Sequence, residues 1–508
     1  MNRRAFLASS AAGIACALAQ PRPRQTLTRA GFSEADITPA IGMEMPGGYV
    51  KAFHKSLHDP CKVRAAVFDD GRRPVALVGV DSLVVPRQLV TPARRRIAEK
   101  CGILPDSVLI GASHSHSSGP TGMVLPHEYD DASELIRKLA YEESSCADAH
   151  YLQQVEDGIV AAVSDAFTKR RELALGAGSA REDSVAFNRR FRMKNGRTFT
   201  HPGQRNPDTV APAGPIDPQV GVIGAWDERG NLTGCVVNYA CHATTNPTGG
   251  GISANWILYL ERSLRALYGD SLTVVFLQGF SGDITQVNNL NPNRQPAPDD
   301  WMRLVGGGVG AAASRALLSM GRGALTPTDA ASTVLKVRRR VPDPQRLERC
   351  RMLVAQGRPT SSDITDWTFA KETVLLDARL RHEPVADVEV QAVQIGPAVF
   401  IAAPGEMFVE FGLAIEKGSP FPFTFPVELA NDSVGYVPTE EALDPRTGGG
   451  YETRLTSYSN LEATAGRQMV DAGLTLARKL HPGVVPPRTL PPAFRAPWSY
   501  GSVPAEPR

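Results

Sequence analysis

The sequence predicts an α/β fold: one large domain on a mixed or mostly parallel sheet, with a ligand site at the carboxyl ends of its strands. Three observations carry this. Short apolar runs of strand length alternate with stretches of helical period, the pattern of a sheet covered by helices. No internal repeat or shift in composition divides the chain. Several apolar runs pass through small residues straight into a histidine or an acid, and in open α/β sheets ligands sit beyond the carboxyl ends of the strands.

Taken in order, the chain begins with an address. Arg3-Arg4 precedes Phe6-Leu7, an apolar stretch runs from Ala5 to Ala19, and Ala17-Leu18-Ala19 offers small residues at cleavage spacing. This predicts a twin-arginine signal over 1–19, read by the export machinery, and a periplasmic or secreted protein. Cys16 is an alternative lipid-attachment site, poorly matched by Gly13-Ile14-Ala15 before it. Strands are expected over 63–68, 74–80, 107–112, 233–239, 272–278, 387–395 and 398–402, all short runs rich in Val, Ile and Leu. Helices are expected over 88–101, 149–168, 256–268 and 462–480. In 149–168, for example, Leu152, Val155, Ile159 and Val163 recur at helical spacing. Residues 196–218 and 286–300 are rich in Pro, Asn and Gly and read as long surface loops. A main domain over 30–481 is followed by a Pro-rich tail, 482–508.

Composition narrows the function. At 42% hydrophobic and 21% charged, the chain is ordinary and globular, which excludes collagen-like, disordered and coiled-coil classes. Its 508 residues can bury a large core without disulfides or metals. Removal of residues 1–19 leaves 53 basic and 53 acidic residues, so there is no nucleic-acid footprint. The six cysteines beyond the leader form no CxxC pair, which argues against a cysteine zinc site.

Four strand ends carry groups able to bind a metal or move a proton. Residues 108–113 run into His114-Ser115-His116, and 235–241 into His242. Residues 274–278 lead through Gly279-Phe280-Ser281-Gly282 to Asp283, and 398–403 through Pro404-Gly405 to Glu406. Side by side, these strands bring His114, His116, His242, Asp283 and Glu406 to one mouth. Two neutral imidazoles and a carboxylate suit an open zinc site. Each residue also has an ordinary reading: a turn histidine, a turn aspartate, or an acid at a helix N-terminus. Gly279-Phe280-Ser281-Gly282-Asp283 lacks the spacing of a serine nucleophile elbow. No phosphate or dinucleotide loop is present in the sequence.

Together these segments resemble the catalytic domain of the neutral, non-lysosomal ceramidases. The likeness rests on Ala35-Asp36-Ile37-Thr38-Pro39, Gly47-Gly48-Tyr49, Arg64-Ala65, Asp81, residues 113–120, Phe187-Asn188-Arg189-Arg190, Asn238 to His242, Pro404-Gly405-Glu406 and residues 431–441. It implies one zinc ion per chain, held by His114, His242, Glu406 and Tyr436. Tyr436 either ligates the metal or donates to the oxyanion, and Arg189 helps stabilise that oxyanion. His116 is a proton shuttle or an outer partner of the metal site. The family's Gly-Asp-Val-Ser-Pro segment reads Gly282-Asp283-Ile284-Thr285-Gln286 here, so Thr285 stands where the family has a catalytic serine. The implied activity is hydrolysis of an amide bond in a small-molecule or lipid substrate, with peripheral membrane contact in reach. A different ester, lactone or amide substrate is the second expectation, and a non-catalytic envelope binding protein the third.

Overall fold

The computed structural model describes residues 28–291, 296–361, 363–488 and 497–507. The expected leader with Cys16, and part of the Pro-rich tail, lie outside them. Three main sheets share one plan. Across the first lie Val108–Ala112, Val75–Val80, Lys62–Asp69, Arg29–Asp36 and Arg171–Glu172. The second holds Thr273–Gln278, Leu232–Tyr239, Gln219–Trp226 and Ala174–Arg181. The third holds Thr328–Arg338, Val385–Ile395, Ala398–Ala402 and Phe423–Val427. In each sheet one edge pair is parallel and the other neighbours are antiparallel. The architecture is therefore α/β and mixed, with the expected sheet divided into three.

A parallel pair requires a crossover, normally a helix. The helices Arg87–Cys101, Ile257–Tyr268 and Val409–Gly418 each join the two strands of one parallel pair. The domain thus contains three βαβ units, one per sheet. Inner faces of all three sheets meet in a common core that includes Phe32, Phe68, Leu109, Ile223, Val275, Leu277, Phe400 and Phe425. Contact there is close: a Cβ on Gly79 would lie 2.2 Å from the carbonyl oxygen of Phe276, so only glycine lets the first sheet's backbone touch the second's. The outer faces are covered by helix pairs. Arg87–Cys101 and Ala149–Thr168 cover the first, Ile257–Tyr268 and Pro298–Ser319 the second, Val409–Gly418 and Ala465–Lys479 the third.

The helix Pro298–Ser319 replaces the end of one expected loop. Its Gly306-Gly307-Gly308 run hides it, because glycine disfavours a helix by about 1 kcal/mol per residue. The glycines serve packing: a Cβ on Gly306 would meet the Trp256 carbonyl at 2.3 Å, and one on Gly310 would meet Ser263 Cβ at 2.7 Å. The other expected loop, 196–218, contains the short strands Thr198–Thr200 and Thr209–Pro212. A pair of helices, Pro344–Ala355 and Thr365–Leu380, was not legible, and the second of them contributes Glu372, Leu375 and Arg379 to the wall of the cavity described below. Cys61, Cys101, Cys146, Cys235, Cys241 and Cys350 are free thiols. Among the described residues no helix is long and apolar enough to cross a membrane.

Candidate metal centre

Each βαβ unit delivers one ligand-bearing residue. His114 follows Val108–Ala112, His242 follows Leu232–Tyr239, and Glu406 follows Ala398–Ala402. One donor atom from each lies within 4.8 Å of the others. His114 and His242 are 2% and 1% exposed. His114 adopts φ 60°, a left-handed conformation that non-glycine residues hold only where the surroundings enforce it.

In the first two units the neighbouring strand leads to the carbonyl that orients the histidine. The Nδ1–H of His114 donates to the Leu83 carbonyl at 2.9 Å, just past Val75–Val80. The Nδ1–H of His242 donates to the Ser281 carbonyl at 2.8 Å, just past Thr273–Gln278. A carbonyl only accepts, so both Nδ1 atoms carry the proton and both Nε2 atoms present a lone pair. Each Nε2 faces Glu406 Oε2 at 3.3 Å. Burial, reinforced by the Arg189 charge, pushes His242 down to about 3, so its ring is neutral at ordinary pH. His242 Nε2 and Glu406 Oε2 are buried without a hydrogen-bond partner. Lone pairs converging in this way repel unless a cation lies between them, and this nitrogen, nitrogen and oxygen set fits a divalent metal.

His116 Nε2 lies 3.3 Å from His114 Nε2, so the second histidine of the pair stands beside the first. Burial, with the two other imidazoles, holds it well below the usual histidine range. Tyr436 pairs with Glu406 in parallel register. Its hydroxyl lies 3.2 Å from an Arg189 nitrogen and 3.1 Å from the Tyr451 hydroxyl. Arg189 is buried behind it, bonded also to Glu452 at 2.9 Å and to the Gly282 carbonyl at 2.7 Å.

Two expected site residues are placed elsewhere. The Asp283 carboxylate accepts from Asn188 at 2.7 Å and from the Val409 N–H at 2.9 Å, so it ties segments together behind the site. Thr285 lies in the short strand Ile284–Thr285, paired with Phe187–Asn188, and its hydroxyl turns to Gln286 at 3.3 Å. Neither lines the cavity that opens over His114, His116, Glu406 and Tyr436.

That cavity holds about 770 Å³. Tyr49, Tyr436, Tyr451 and Tyr458 form one side, with Tyr49 and Tyr458 ring centroids 5.1 Å apart and those of Tyr436 and Tyr451 5.5 Å apart. Leu83, Val84, Val124, Leu125 and Leu375 add apolar wall. Ion pairs mark its outer part: Arg87 with Asp432 at 3.0 Å and Arg379 with Glu383 at 2.8 Å. Tyr451 and Tyr458 carried no signal in the sequence, because only the fold brings them beside Tyr436. Glu428, fully buried and bonded to Ser281 and Met407, was missed for the same reason.

No protein-family model matches the chain. It is 26% identical over 310 residues to a curated neutral ceramidase of Pseudomonas aeruginosa, covering 59% of this chain and 42% of that protein. The chain therefore spans less than half the length of that relative. The crystal structure of neutral ceramidase from Pseudomonas aeruginosa superposes with a TM-score of 0.67 at 19% identity, over 91% of this chain and 76% of that one. A structure described as ceramidase complexed with C2 gives a TM-score of 0.67 at 20% identity, over 92% and 77%. The chain is thus a relative of the neutral ceramidases, sharing their fold over nearly all of its length.

Proposed function

We propose that this protein is an exported zinc-dependent amidohydrolase that cleaves an N-acyl lipid of the ceramide type into a fatty acid and an amine. The observation that carries this is the convergence of His114, His242 and Glu406 at the base of a large, partly aromatic cavity. When bound there, zinc supplies an activated water and Lewis-acid polarisation at neutral pH. The remaining work falls to the chain. The guanidinium of Arg189 can only donate, so at 3.2 Å the Tyr436 hydroxyl accepts from it; with Tyr451 donating in the 3.1 Å contact between the two hydroxyls, the Tyr436 proton turns to a carbonyl oxygen in the cavity. Arg189 thereby acts on the oxyanion through Tyr436. His116 lines the cavity beside His114 and is placed to take up and return a proton. Export through the twin-arginine machinery and peripheral contact with a membrane belong to the same proposal, supported by Arg3-Arg4 and by the lipid character of the substrate.

The test is to load purified protein with zinc and measure metal content and amine release from N-acylsphingosine. About one zinc per chain and metal-dependent release support the reading; metal-free protein of full activity overturns it. A second reading keeps the metal but changes the substrate to a smaller or more polar amide, ester or lactone. The ion pairs of the outer cavity and a Thr285 hydroxyl that turns to Gln286 outside the cavity favour it. Release from short polar N-acyl amines but not from N-acylsphingosine selects it.

Gly47 offers a sharper probe of the cavity. It holds φ +92°, and a Cβ there would lie 2.2 Å from His116 Nδ1. Gly47→Ala is expected to displace the His116 ring and lower kcat on the order of a hundredfold, the cost of about 1 Å of misplacement. Metal content should stay unchanged. Steady-state kinetics beside elemental analysis checks this, and equal loss of metal and activity argues against a separate role for His116.

A further inference from the structure

We infer that Glu428 is a positioning residue for the metal centre, tying the loop that orients His242 to the strand that carries Glu406 and so fixing the spacing of the two ligands. The inference rests on reading His114, His242 and Glu406 as a metal site.

Glu428 follows Phe423–Val427, the partner strand of the third βαβ unit, and its side chain is fully buried. A buried glutamate is rare unless a cation pairs with it, and here, among the described residues, its side-chain partners are uncharged donors. Its partners are three donors, two on the loop that orients His242 and one next to Glu406. Oε1 accepts from the Ser281 hydroxyl at 2.6 Å, and Oε2 from the Ser281 N–H at 3.0 Å and the Met407 N–H at 2.9 Å. Ser281 is the residue whose carbonyl receives His242 Nδ1–H, and Met407 adjoins Glu406. The ring of bonds closes through Gln278, whose amide donates to Ser281 Oγ at 2.7 Å and to the Cys241 carbonyl at 2.8 Å.

His114 and His242 are oriented by backbone carbonyls, which no side-chain substitution removes. In the third unit the strand end that faces the Glu406 segment contributes a side chain, Glu428. Here ligand geometry is written into a replaceable group, and the backbone around it is tight: Gly282 N–H donates to the Met407 carbonyl at 2.7 Å.

The experiment compares zinc affinity, by competition with a chromophoric chelator, with apoprotein melting for wild type, Glu428→Gln, Glu428→Leu and Ser281→Ala. Glutamine still accepts both N–H groups, so Glu428→Gln should bind zinc within about threefold of wild type. Glu428→Leu should bind 10–100-fold more weakly, the usual cost of losing an outer partner of a metal site, and Ser281→Ala should fall between. A leucine variant whose apoprotein melts lower yet binds zinc as wild type does overturns the inference, leaving Glu428 a purely structural residue. Should that variant not fold, wild-type affinity in Ser281→Ala overturns it instead. Wild-type protein that takes up no zinc fails the metal reading itself, a distinct result that removes this inference with it.

Discussion

His242→Ala is expected to abolish stoichiometric metal binding and to lower hydrolysis by well over a hundredfold while leaving the fold intact. Loss of an outer partner of a metal ligand already costs 10–100-fold in affinity or activity, and this change removes the ligand itself. The ring is 1% exposed and its hydrogen bond, from Nδ1, goes to the Ser281 carbonyl, so the variant exchanges one buried donor for a small cavity. Local destabilisation of about 1–3 kcal/mol follows, too little to unfold a domain of this size. His116 offers no substitute, because its Nε2 lies beside His114 and its other ring nitrogen faces Gly47. Elemental analysis of protein refolded with zinc, beside circular dichroism, is the check. Retention of about one zinc per chain in this variant would sink the metal centre as drawn.

The histidines and Glu406 were legible because each sits where an apolar strand ends in small residues, and a strand end is a place the fold can be read from sequence. Asp283 has the same appearance, yet the chain turns two residues earlier. Ser281, not Asp283, faces His242 with its carbonyl, and Asp283 is spent on Asn188 and the start of the helix Val409–Gly418. A pattern of residue types cannot say which residue of a turn points inward. The division into three sheets was hidden for a related reason: strand period marks each strand but not its neighbours. The tyrosines were hidden more deeply. Tyr436, Tyr451 and Tyr458 follow one another along a single irregular stretch after the third unit, while Tyr49 comes from near the start of the domain, and the adjacency of all four exists only once the chain has folded.

Arg64→Met should be the most destabilising single change outside the site, costing about 3–5 kcal/mol, the range for stranding buried charges. Arg64 is 3% exposed and bonds Asp81 at 2.8 Å and Glu261 at 2.6 Å and 2.9 Å. The two acids respond differently because their surroundings differ. Glu261 also meets Lys62 and Arg265; burial opposes its ionisation, but these cations hold it down to about 2. Asp81 has Arg64 as its cation, and burial pushes it up to about 6 in spite of it. Glu261 therefore adds stability that is present above its unfolded value of 4.5 and lost as pH falls toward 2. Asp81 acts with the opposite sign, opposing folding progressively as pH rises from 3.8 to about 6. Without Arg64 both ionised acids lose their support, so the deficit of the variant should be larger at pH 8 than at pH 4. Urea midpoints at the two pH values check this, and a deficit below about 1 kcal/mol at pH 8 would place the cluster among ordinary surface pairs. Adding Asp81→Asn should recover part of the loss, because it removes the acid with the fewest remaining partners. The consequence reaches the site. Asp81 begins the turn that ends in Leu83, which orients His114, and Glu261 lies on the helix that follows the His242 loop. Arg64 thus braces the first ligand unit against the second, and its removal should weaken zinc binding at pH values where the domain is still folded.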